Sequence, residues 1–343
     1  MKLFKLFSIL CFSMTLSLFS QNFKAPVEYL DFIGKEQETI SKNMWKYTQA
    51  VAHSKSDRNI EQKRKTIIKS IERAITKITK AQGFDGDTYK NQVLDYLNFS
   101  KDLMNADYAK IVDMKAIAEQ SYDAMEAYML TRKMADKKMV ESQSKYEANF
   151  NQFAKKHKIE IIEGDSDLSK KMEISNTVFE DYNAMYLIFF KVYINEVYLW
   201  EAVERKDVAA IQQNANALNQ SAKEGLNIIQ AVKNYKDDAS VTKATKEAFE
   251  FFIDESENNI PAIIDFFVLN ENMAKITETI EKTPEKKRTK KQIENYNKKV
   301  KEINKAVSNY NKINTKLNTN RQKVLHNLNV ANDNFLARHI PKD

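Results

Sequence analysis

The stretch Ala184-Met185-Tyr186-Leu187-Ile188-Phe189-Phe190-Lys191-Val192-Tyr193-Ile194-Asn195-Glu196-Val197-Tyr198-Leu199-Trp200 decides the architecture of this chain. With Val178, Phe179 and Tyr182 before it, it puts apolar side chains around nearly the whole circumference of a helix. A helix that is apolar all round belongs in the middle of a helical protein. It is too interrupted to span a membrane, because Lys191, Asn195 and Glu196 break a run that would have to extend over about 20 apolar residues. The composition around it agrees. The 343 residues hold five Gly and four Pro, far below the roughly 7% and 5% of an average chain. That is too few turns for an all-β or doubly wound fold, and long helices with few connections follow.

Working outward from this central helix, Leu168 to Arg205, the periodicity places helices on both sides. Pro26 opens one that continues through Tyr29, Ile33, Ile40 and Trp45 toward Ser54. Ser54 to Asp57 is a break and a new cap. A second helix, with Ile60, Ile67, Ile71, Ile75 and Ile78 at three-four spacing, ends at Gly83-Phe84-Asp85-Gly86-Asp87, and the two make an αα-hairpin. Thr88 to Met104 is a third helix and Tyr108 to about His157 the longest amphipathic stretch. Ile159-Glu160-Ile161-Ile162 is briefly strand-like before Gly164-Asp165-Ser166-Asp167 restarts the helical pattern. Asp207 to Val232 and Ser240 to Glu281 are two more helices, the second expected to kink at Pro261.

The last helix, from Thr289 to about Phe335, opens with a capping box, Thr289-Lys290-Lys291-Gln292. It carries the clearest heptad register in the chain. Ile293, Val300, Val307, Asn314, Arg321, Leu328 and Phe335 occupy one seam position, with Tyr296, Ile303, Tyr310, Leu317, Val324 and Ala331 at the other. Asn297, Asn304, Asn311 and Asn318 recur at the same interval. Asn is a mediocre helix former, so these four are either amides lining an intramolecular helix contact or a register-setting partner surface. The expected fold is all-α: an elongated bundle of about eight long helices. Two sub-bundles, 21–165 and 166–343, share the central hydrophobic helix or merge into one continuous domain.

Residues 1–20 have the layout of a secretory signal peptide: Lys2 and Lys5, then an apolar run from Leu6 to Phe19, then Ser20. The run is too short for a spanning anchor. Cys11 follows Leu10, where a lipoprotein would need a small residue. Cleavage near Ser20 would leave a chain with no cysteine, hence no disulfide framework, thiol nucleophile or thiolate metal site. It would carry a formal charge of +5 instead of +7, a mild excess that does not read as a nucleic-acid surface. No cofactor is expected. The expected location is the periplasm or the outer surface of a Gram-negative bacterium.

The motifs of common chemistries are missing. The five Gly match neither the dinucleotide fingerprint nor the phosphate loop. None of His53, His157, His326 and His339 has a Glu three residues before it or a second His four residues away, which removes the di-iron bundle and zinc-protease patterns. Ser142 and Lys145 lack the companion motifs of a serine enzyme. Asp85-Gly86-Asp87 and Asp165-Ser166-Asp167 lack the rest of a calcium loop. Glu119, Asp123 and Glu126 share a helix face and Asp113 lies one and a half turns earlier, as a salt-bridged surface, a cation site or, less simply, with Asp113, Glu119 and Asp123 as acid and base. Two groups remain as candidate sites. Trp45, Tyr47, His53, Ser54 and Lys55 crowd one hairpin end, as a pocket of aromatic bodies with polar tips or as a buried end. Lys286, Lys287, Arg288, Lys290 and Lys291 form the densest basic run, an exposed loop or a contact to an anionic surface.

Several strings also carry a resemblance. They are Ala50-Val51-Ala52-His53-Ser54-Lys55-Ser56, Asp107-Tyr108-Ala109-Lys110-Ile111-Val112-Asp113-Met114, Ile117-Ala118-Glu119-Gln120-Ser121-Tyr122-Asp123 and Tyr186-Leu187-Ile188-Phe189-Phe190-Lys191. With Arg288-Thr289, Phe335-Leu336 and His339-Ile340-Pro341, they make the chain resemble an uncharacterised leptospiral-type bacterial surface-protein family. The resemblance implies export and an all-helical body and assigns no activity. A surface lipoprotein would need an acceptor Cys, which the chain lacks after cleavage. The expected function is that of a non-enzymatic helical interaction or structural protein of the envelope, with an unknown protein or envelope polymer as partner and homo-oligomerisation open. The alternative is a periplasmic small-molecule binder with its pocket near Trp45.

Overall fold

The computed structural model describes residues 23–54, 56–161 and 166–342. The expected leader, Cys11, Lys55 and the Gly164-Asp165 pair lie outside them. The described residues form ten α-helices: α1 Pro26–His53, α2 Asp57–Lys80, α3 Thr88–Asn105, α4 Asp107–Ala118, α5 Tyr122–Lys156, α6 Asp167–Arg205, α7 Val208–Gln230, α8 Ser240–Asp254, α9 Ile260–Lys282 and α10 Lys290–His339. Among them there is no strand, and no helix is long and apolar enough to cross a membrane. The fold is all-α.

Side-chain caps open five of the ten helices. Ser56, Ser121, Ser166 and Asp207 accept a backbone N–H from their own first turns. Thr289 and Gln292 close the expected capping box: the Thr289 hydroxyl accepts from the Gln292 N–H at 3.2 Å, and Gln292 Oε1 accepts from the Thr289 N–H at 2.8 Å. In the turn before α3, Asp85 and Gly86 both take positive φ, +56° and +90°, and only glycine adopts the second at no steric cost.

Two expectations need correction, and a third takes a specific form. The stretch read as one helix over 108–157 breaks at Glu119 to Ser121, because Ser121, with φ −159°, caps a new helix through its contact with Ala124 N. The strand-like Ile159 to Ile161 is the exit of α5. Lys158 turns left-handed, its N–H bonds to Lys155 O, and the Ile159 N–H bonds to Ala154 O, a Schellman ending whose apolar residue folds back onto the core. The 240–281 helix is interrupted in the turn before Pro261, as a π-helical turn over Glu255–Asn259, and Pro261 sits in the opening turn of α9; the proline lacks the N–H that would continue the α-helical ladder.

Burial divides into three clusters. Tyr29, Ile33, Ile67, Ile71, Ile78, Tyr89, Val93, Leu97 and Phe153 form the core of α1, α2, α3 and the end of α5. Val192, Leu199, Ile211, Leu218, Ala222, Phe249, Phe252, Ile263, Leu317 and Leu328 belong to a larger core of α6 to α10. A small third cluster, Ala118, Met125, Phe190 and Ile194, joins the α4/α5 break to α6. The central helix thus serves two clusters: Phe189 and Val192 face one, Phe190 and Ile194 the other. Gly225 on α7 lies where a Cβ would come within 2.6 Å of the Phe249 ring and 3.1 Å of Val192, which brings α7 close against α8 and α6.

Candidate functional site

Two features of the α6–α10 half stand out, and both involve α10. The first is an arm. In α9 the buried residues are Ile260, Ile263 and Phe267, and in α10 they are Leu317, Leu328, Phe335 and Leu336. Beyond Phe267 and Leu317, toward the connection between the two helices, no described residue of either is fully buried. The antiparallel pair is pinned where Tyr310 stacks on Phe266, ring centroids 4.5 Å apart, and meets Phe267 at 5.8 Å. From there to Lys290 the helix runs about 30 Å at 1.5 Å per residue. Its seam is only half covered: Ile293 and Val307 are 46% and 39% exposed, and on α9 Val268 is 42% exposed.

The arm is also where the charge lies. Residues 268–316 hold thirteen Lys and Arg against six Glu, a net of +7, while the rest of the chain balances 41 against 41. The excess that looked mild when spread over the whole chain is therefore concentrated on one element. At the tip, Lys286, Lys287, Lys290 and Lys291 are exposed, with Lys290 3.9 Å from Glu294. Arg288 is half-buried instead, and its Nε donates to Thr283 O at 2.9 Å, closing the turn. Asn297, Asn304, Asn311 and Asn318 are all exposed, one heptad position around from the seam. They do not line the contact with α9, which corrects the intramolecular reading. Asn318 holds a neighbour in place, since its Oδ1 accepts from Arg321 at 2.7 Å.

The second feature sits at the root of the arm. Arg321 of α10 reaches two buried carboxylates, Glu196 of α6 and Glu255 of the π-helical turn, which are 4% and 0% exposed. Its guanidinium lies over the Trp200 ring, 4.1 Å from the centroid, and Trp200 Nε1 donates to Glu255 Oε1 at 3.1 Å. Arg321 Nη2 donates to the same oxygen. The Arg321 Nε forms an ion pair with Glu196. One cation thus faces two acids out of water. Burial, helped by the negative charge of Glu196 and opposed by Arg321 and Trp200, pushes the Glu255 carboxyl up to about 7. Burial also raises Glu196, against the pull of Arg321. Chemically the group is an acid that takes up a proton near neutrality, and mechanically it fastens α10 to α6 and the π-helical turn.

The other candidates disperse. Trp45 is buried in the α6–α10 core, whereas Tyr47, about 200° around α1, packs on the other core with its ring 6.4 Å from Tyr108. His53 is largely exposed, and partial loss of solvent around it, with the charge of Lys342, lowers its pKa. Ser54 accepts from Ser56 N at 3.1 Å and Asn59 Nδ2 at 3.2 Å, joining α1 to α2. The expected pocket therefore does not assemble from these described residues, because its two aromatic anchors face opposite ways. Asp113, Glu119, Asp123 and Glu126 are exposed, and the break at Ser121 takes the first two off the helix that carries the others. Among the described residues no three His, Cys, Asp or Glu side chains are grouped to hold a metal. Asp85 ends as an ion-pair partner of Lys156 at 2.6 Å.

The sequence reading missed the root cluster. Its signals were two charges out of place, Glu196 in the apolar helix and Arg321 at a seam position. Comparison with protein-family models, with curated proteins and with solved structures finds no match to this chain.

Proposed function

We propose that this chain is an exported, non-enzymatic helical protein of a Gram-negative envelope that presents its α9/α10 arm to another protein or polymer. The observation that carries this reading is the arm: a two-helix extension with a half-covered apolar seam and the chain's entire net charge. A stretch built only to stabilise the fold would carry fully buried seam residues, as the other half of α10 does at Leu317, Leu328 and Phe335. The layout of residues 1–20 supports export, and the resemblance to the leptospiral-type surface-protein family supports the envelope location.

Fractionation of a Gram-negative host expressing the full chain tests this. The expected result is a product shortened near Ser20 and held in the envelope fraction. A variant carrying Ile293→Asp and Val307→Asp, with unchanged helical content, should be released from that fraction. Full-length protein in the cytoplasm, or envelope retention that ignores the double substitution, would overturn the reading.

A further inference from the structure

On the arm, α10 repeats a small unit. Tyr296-Asn297-Lys298, Ile303-Asn304-Lys305 and Tyr310-Asn311-Lys312 follow one another at intervals of seven. The first residue of each faces the seam and is half-buried, while the Asn and the Lys are exposed. None of the three lysines makes an ion pair among the described residues, although Lys298 lies near enough to Glu302 to help hold that carboxyl down. The strip they define presents one ammonium about every 10.5 Å, each beside an amide that can both donate and accept. Exposed Asn costs several tenths of a kcal/mol of helix propensity relative to Ala, and no packing contact on α10 compensates at 297, 304 or 311.

The chemistry narrows the partner. A second arm with the same net charge of +7 would be repelled. Insertion into lipid needs a Trp, Phe or Leu face, and from Glu294 to Lys316 the outward positions of α10 are Asn, Lys, Glu, Ser and Thr only. Duplex DNA offers a charge every 1.7 Å or so, which an arginine-free ladder with far wider spacing samples poorly. Widely spaced carboxylates separated by hydroxyl and amide groups fit both the cations and the amides.

Resting on the reading of the arm as the interaction surface, we propose that Asn297, Asn304 and Asn311 with Lys298, Lys305 and Lys312 bind a linear polysaccharide carrying one carboxylate per disaccharide. Sodium hyaluronate is the probe, with dextran, phosphatidylglycerol-containing vesicles and duplex DNA as comparisons. The full chain should be retained on immobilised hyaluronate and released by salt, and should not bind dextran. Lys298→Gln, Lys305→Gln and Lys312→Gln together should weaken retention about tenfold or more. The same three changes at Lys35, Lys46 and Lys69 should leave it unchanged. Replacing the three Asn by Ala should weaken binding without altering its salt dependence. No retention on hyaluronate, equal retention of the triple Lys variant, or tighter binding to vesicles or DNA would overturn the proposal. If hyaluronate fails while Ile293→Asp with Val307→Asp still releases the protein from the envelope, the polysaccharide is wrong and the arm reading stands. If both fail, both are wrong.

Discussion

The two halves of α10 share one heptad register and meet different fates. From Leu317 onward the seam reaches the core: Leu317, Leu328 and Phe335 are 1%, 3% and 5% exposed, with Arg321, Val324 and Ala331 half-buried between them, and this half of α10 meets α8, α6 and α1. From Lys290 to Lys316 the same spacing yields half-buried or exposed positions. A heptad states which face of a helix is apolar, and it does not state how many neighbours arrive to cover that face. The boundary falls beside Arg321, where the seam accepts a charge because Glu196, Glu255 and Trp200 are in place to receive it.

Breaking that boundary should have the largest effect. Arg321→Ala leaves two buried carboxylates facing each other and is expected to destabilise the fold by about 3–5 kcal/mol, read from urea unfolding at neutral pH. A loss below about 1 kcal/mol would mean that the cluster does not fasten α10. The two halves can then be compared directly. Leu317→Ala should cost about 2–5 kcal/mol as a buried truncation, and Ile293→Ala, in the same register, within about 0.5 kcal/mol. Equal costs would show that the arm is as well covered as the root.

The pH dependence sharpens the same contrast. The folded-state pKa of Glu255 lies above its unfolded value, so the folded chain binds the extra proton. Its burial therefore costs stability above about pH 7, and the cost is relieved progressively toward pH 4.5, by roughly 3 kcal/mol in all. Asp238 works the other way. Burial raises it, but hydrogen bonds from Ser240 and His339 and the charge of Arg338 hold its carboxyl well below the usual range, so its contribution is lost only in stronger acid. Thermal unfolding should accordingly move upward between pH 7.5 and pH 5.5, in about that window, and Glu255→Gln should flatten the slope. A slope unchanged by Glu255→Gln would place the titrating group elsewhere. The most local effect is expected at the arm's beginning: Thr289→Ala removes one helix cap, worth about 1 kcal/mol locally, and should speed amide exchange in the first turn of α10 while leaving the root unaffected.

Much of the fold was legible from spacing alone. The α1/α2 hairpin, the all-round apolar α6 and the capping box at Thr289 depend on residues within a turn or two of each other, and local periodicity reports them. The misses were also local but subtler. Ser121 interrupts a pattern whose apolar period continues on both sides of it, and Ile159 belongs to a helix ending that imitates a strand. The sites were less legible. Trp45 and Tyr47 are two residues apart and looked like one pocket, yet a helix turns about 200° between them, and each found a different core.

What the sequence determined by itself is the all-helical class, the central place of α6 and the heptad of α10, because helix propensity and apolar periodicity act over a few residues. Tertiary structure alone decided which half of that heptad is covered. It also decided that Glu196, Glu255 and Arg321, far apart along the chain, share one buried site, and that the Asn series faces outward. Burial and ionisation depend on the surface that arrives opposite a residue, and no local spacing specifies that surface.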